Sequence, residues 1–135
     1  MVMSAPTIPH EWFRTNAQAL LAKTRAGQVN WVKRAETEPR YEVVLPHSTI
    51  TLSYTSPRVE PDFITLELFN ENDLRVGSWS ADKPDPDDGT PSPDWVLLNA
   101  LFDEVHRSVT GWDKVVSDIE QALAKPGRIG TSNGG

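Results

Sequence analysis

Cysteine is absent from the 135 residues of this chain. Disulfides, thiolate zinc sites and a cysteine nucleophile are therefore excluded, and the absence fits a reducing compartment. Long apolar runs are missing as well. No segment approaches the roughly 18 apolar residues that a membrane span needs. The opening residues, Met1 to Trp12, hold no basic region followed by an apolar core, so a secretory signal is not expected and the cytoplasm is the expected location. Positive charge is scarce. Lysine and arginine number 13 against 19 aspartate and glutamate, for a formal charge of −6. Residues 82–94 contain five Asp and one Lys, which contributes −4 of that total and leaves about −2 for the rest. Without a basic face to neutralise phosphates, nucleic-acid binding is not expected, and neither is attraction to an anionic membrane surface.

What remains has the composition of a globular protein. Hydrophobic residues make up 38% and aromatics 8%, and one domain of this length buries a core without staples. Residues 1–9, punctuated by Pro6 and Pro9, read as a loose arm. Residues 10–125 read as a single α+β domain. The tail from 126 onward, rich in glycine, reads as disordered.

The domain opens with a helical pattern from His10 to Ala26. Phe13, Ala17, Leu20 and Thr24 recur at helical spacing, and Gly27 follows where a helix C-terminal glycine belongs. The period then changes to two. Segments 30–35, 40–46, 48–55, 62–69 and 73–79 read as five strands. Tyr41, Val43 and Leu45 alternate on one face, as do Ile50, Leu52 and Tyr54, and Ile64, Leu66 and Leu68. In the last strand Leu74 and Val76 alternate against Arg75, which places Trp79 at the opposite parity, on the wet face. The connectors are short, so the strands are expected to form an antiparallel meander with one covered face.

A final helical signal is the strongest. Trp95, Leu98, Phe102, Val105, Val109, Trp112, Val116, Ile119 and Leu123 are spaced alternately three and four apart, a seam of about four heptads. Ser92 or Asp94 is its expected cap, and Pro126-Gly127 its end. Gly111 lies within it at a cost of about 1 kcal/mol, but the seam keeps its phase, so one continuous or gently kinked helix is expected. Residues 94–124 would then extend about 45 Å, past a sheet only about 20 Å wide. The half bearing Trp112, Val116, Ile119 and Leu123 would need cover from the first helix or from another chain. Of the remaining tryptophans, Trp12, Trp31 and Trp95 read as core.

The chemical candidates are few. The acidic, proline-rich loop 81–93 holds Asp82, Asp85, Asp87 and Asp88. As a calcium loop with Gly89 sixth, it would put Pro84 first, Pro86 third and Trp95 twelfth, none of which is a ligand. It reads as a stiff, solvated linker. His10, His47 and His106 lack the partner spacing of a zinc motif, and no glycine-rich phosphate loop is present. The carboxylate pair Glu67 and Glu71 is ordinary for a sheet edge. No catalytic residue, metal ligand or cofactor is assigned.

The stretch Leu21-x-x-Thr24-x-x-Gly27-x-x-x-Trp31, followed by a small sheet and a long last helix, resembles a group of short bacterial proteins of uncharacterised function. The resemblance spans roughly residues 12–124 and implies a bacterial source and an accessory role, beside toxin or phage-defence genes. It implies no catalytic residues, and the acidic insertion at 82–93 is longer than the group's pattern.

Three functions are left standing. The first is a non-enzymatic protein-binding module, self-associating through Trp112, Val116, Ile119 and Leu123. The second is an immunity-type protein whose acidic loop engages a basic partner. The third is a small enzyme or ligand-binding protein using the open sheet face with Trp79 and the tyrosines.

Overall fold

A computed structural model describes residues 7–35 and 39–130. The expectations for the first six residues of the arm and the last five of the tail fall outside that range. The architecture is α+β: helix α1 (His10–Arg25), strands β1 (Val32–Ala35), β2 (Arg40–Val44), β3 (Ser48–Thr55), β4 (Phe63–Asn70) and β5 (Arg75–Asp82), then helices α2 (Pro93–Thr110) and α3 (Trp112–Ala124). The sheet is a meander in the order β1-β2-β3-β4-β5, and every neighbouring pair is antiparallel.

Alternation in the strands decides which face is covered. Opposite Leu52 lie Tyr41 on β2 and Leu66 on β4, and Leu66 in turn faces Trp79 on β5. All four are buried, and this row forms the floor of the core. The next row, one residue along, is Glu42, Thr51, Glu67 and Ser78, on the opposite face. There Arg34 pairs with Glu42 and Arg75 with Glu67, each at 3.2 Å. Thr51 lies between these two glutamates and is itself buried, with its hydroxyl lacking a partner.

Helices α1 and α2 lie side by side on the core face. Arg14 reaches Asp94 at 2.6 Å and Arg25 reaches Glu104 at 3.9 Å, so the two helices run in the same direction. They cross the strands. Asp94, at the start of α2, accepts a hydrogen bond from Trp79 Nε1 on β5 (3.2 Å), whereas His106, near its end, meets the Tyr41 hydroxyl on β2 (2.6 Å). Helix α1 buries Phe13, Ala17, Leu21 and Thr24, and the Thr24 hydroxyl accepts from Trp31 Nε1 at 3.1 Å. Helix α2 buries Trp95, Leu98, Leu101 and Val105, and Ser92 Oγ caps its start by accepting from the Trp95 N–H.

Four expectations need correction. The C-terminal helix is not continuous. Gly111 has φ 66° and ψ 32°, the left-handed conformation, and ends α2 before α3 begins. Trp79 is not on the wet face but 2% exposed in the core. An irregularity in the β4–β5 ladder pairs Leu68 with Gly77 and Phe69 with Arg75, so Val76 is an extra residue and the parity of β5 inverts there. Gly77, Trp79 and Ala81 thereby share the inner face, while Leu74 and Val76 are exposed. Trp12 is 45% exposed rather than core, because the buried stripe of α1 runs through Phe13. Leu45 is exposed just past the end of β2.

Candidate interaction surface

The covered face of the sheet is not covered to its end. Strand β3 has eight residues and extends about 27 Å. Two helices packed side by side, at 8–10 Å spacing, cover about 20 Å of that length. Helix α2 occupies the end of Tyr54, since Tyr54 packs edge-on against Trp95 and beside Phe102. Helix α1 lies along the middle, with Phe13 stacked on Trp79. The strip beyond α1 is a groove of about 460 Å³. Its floor is Ile50, Leu66 and Leu68, and its walls include Trp12 and Leu20 on one side and Val76 on the other. Among the described residues, Lys23 is the one charged residue lining it.

Helix α3 presents the complementary problem. It has 13 residues and none of them is buried. Trp112, Val115, Val116, Ile119, Ala122 and Leu123 fall within about 120° of the helical wheel, a core-type apolar stripe. Trp112 is 45% exposed, Ile119 51% and Leu123 63%, while Val116 is half-buried. The Arg107 guanidinium lies over the Trp112 ring, 4.7 Å from its centroid, and holds the junction. Of the four residues expected at an interface, three thus stand open on one helix face and the fourth is partly covered.

The acidic loop is placed differently. Asp82 is the last residue of β5, and Asp85, Asp87 and Asp88 are exposed in the turn that follows. Asp85 Oδ1 accepts from the Asp87 N–H at 2.9 Å, a local turn rather than a ligand cradle. Asp94 is committed elsewhere: its contact with Arg14, and then that with Trp79, holds its carboxyl below the usual range against the opposing effect of burial. Among the described residues, no group of three or more His, Asp or Glu is arranged to hold a metal ion.

The aromatic residues expected to line a pocket on the open sheet face are placed elsewhere. Tyr41 and Trp79 lie under the helices, and Tyr54 is half-buried beside Trp95. Tyr41 and His106 make a short contact, but burial pushes the Tyr41 phenol up, the opposite of what an activated nucleophile requires. Two short strings have catalytic spacing that sequence reasoning passed over. Ser80-Ala81-Asp82-Lys83 has the Ser-x-x-Lys spacing, but it belongs to the end of β5, where extended backbone sends residues three apart to opposite faces. Gly130-Thr131-Ser132-Asn133-Gly134 spells a nucleophile-elbow string, and its last four residues lie outside the described range.

No helix among the described residues is long and apolar enough to cross a membrane. No family model, no curated protein and no solved structure matches this chain.

Proposed function

We propose that this chain is a non-enzymatic protein-interaction module that self-associates through α3. The observation that carries the reading is that α3 buries no residue while presenting a full apolar stripe. A helix of 13 residues is marginal in water by itself, because most helical stability in proteins comes from packing an apolar face. Trp112, Ile119 and Leu123 together form a contiguous apolar patch of the kind that marks an interaction site. An exposed tryptophan at the root of that patch is a favoured interface anchor.

The test is absolute mass by light scattering during size-exclusion chromatography, over a range of protein concentrations. A dimer is expected, and Trp112→Asp is expected to return it to monomer. The folded core should survive that change, since every buried residue lies outside α3. A monomer at all concentrations, or a Trp112→Asp variant that unfolds, would sink the reading.

A further inference from the structure

We propose that the partner surface for α3 is the strip of sheet beyond α1, which no described helix covers, in a second copy of this chain, exchanged reciprocally. This rests on self-association through α3 and adds where that helix goes. The strip has the place of a third helix on the sheet: floored by Ile50, Leu66 and Leu68, with α1 along one side and Val76 of β5 on the other. Its length fits. Helix α3 extends about 20 Å, and the strip is lined from β3, β4 and β5 and by Leu45 just past the end of β2, about 15 Å across at about 4.8 Å per strand, so α3 laid along it covers its full width.

Three arguments favour a second copy over the chain's own helix and over a bare pairing of two α3 helices. The first is reach. Helix α1 separates α2 from the strip, which therefore lies about two helix spacings, close to 20 Å, from the α2 axis. Only Gly111 links α2 to α3, and one residue spans at most about 3.6 Å. The second is charge. Helix α3 carries Asp113, Asp118 and Glu120 against Lys114, a balance of −2, with Asp118 and Glu120 bordering the apolar stripe on its two sides. Among the described residues, the strip's single charged residue is Lys23, and it makes no ion pair with another of them. The third is area. A stable interface buries about 800 Å² per partner. Pairing two α3 helices engages one apolar face per chain. Reciprocal docking engages two, the helix and the strip, and closes with two-fold symmetry.

The absence of native cysteine makes the test direct. Chains carrying Ile119→Cys on α3 are mixed with chains carrying Ala19→Cys on the α1 wall, or Val76→Cys on the β5 wall, and treated with a short bis-maleimide. The two chains are distinguished by mass. The substituted side chains are exposed, so the fold is not at stake. Mixed 119–19 and 119–76 products are expected to exceed 119–119 products by at least about tenfold. A dimer that cross-links chiefly 119 to 119 would overturn the strip as the docking place while leaving self-association through α3 standing. A monomer at every concentration would overturn both, as would a monomer that releases a small apolar molecule on denaturation.

Discussion

Two tyrosines set how this protein meets alkali. Tyr54 donates to Asp62 Oδ2 at 2.8 Å, and Tyr41 is buried beneath Phe102 with its hydroxyl on His106. Burial comes first among the causes that raise the Tyr54 phenol, followed by the bond to Asp62 and its charge, and the result is a value pushed up to about 12. The Tyr41 phenol is raised by burial alone. In the unfolded chain both titrate near 10. Above pH 10 the unfolded state therefore gives up protons that the folded state retains. The sign follows: stability is intact below pH 10 and declines as pH rises from 10 through about 12. A native absorbance titration at 295 nm should find no phenol with an inflection at 10. Because the chain has only these two tyrosines, a normal inflection in the folded protein would contradict the packing of one of them outright. The same contacts hold Asp62 below the usual carboxylate range, with the Tyr54 bond as the largest cause.

At the scale of elements, what the sequence discloses divides along a physical line. Periodicity reports a face, so α1, the meander and the buried front half of the C-terminal seam were legible from Phe13, Leu52, Leu66, Trp95 and Val105. Periodicity does not report a backbone angle. The seam passes through Gly111 in phase, yet the chain turns there, since only the dihedral angles distinguish a helical glycine from a left-handed one. A bulge is equally silent. The extra residue at Val76 inverts parity at the start of β5, and a reading carried forward from Leu74 arrives at Trp79 on the wrong side. Trp12 illustrates a third limit: on α1 it neighbours Phe13, and one residue is 100° of helix, enough to leave the core. The groove was beyond reach altogether, because it is a difference between strand length and helix width.

The turn at Gly111 can be tested apart from any partner. A Cβ there would meet nothing within 4 Å, so Gly111→Ala introduces no clash. It does oppose the left-handed conformation by about 1 kcal/mol and favour a continuous helix by about as much. The balance between broken and fused helices should shift by about 2 kcal/mol towards fused. Spin labels at Asn99→Cys and Gln121→Cys, both exposed positions, read this as a distance. The labels should move towards the roughly 33 Å separation of a continuous helix. An unchanged distance would mean that contacts at the junction, such as Arg107 on Trp112, dictate the turn instead of the glycine.

Across the whole molecule, the buried core and the proposed interaction surface are built from different lengths of chain. Among the described residues the last buried one is Val105, with Val109 half-buried against the core behind it. From Trp112 to Gly130 every residue is exposed or partly exposed. A chain ending at Thr110 should therefore fold with the same helices α1 and α2 and the same sheet. Its loss of stability as a monomer should stay below about 1 kcal/mol, the range for changes away from packed positions. The two chains should differ in a second respect. Association that involves only the folded state raises apparent stability by mass action, so the melting temperature of the full chain should climb with protein concentration. The shortened chain, lacking α3, should melt at one temperature whatever its concentration. Thermal unfolding followed by circular dichroism over a hundredfold range of concentration decides it. If the shortened chain fails to fold even when dilute, α3 belongs to the core and its open apolar stripe has been misread. If both chains melt independently of concentration, the fold needs no α3 and α3 has no second copy to meet.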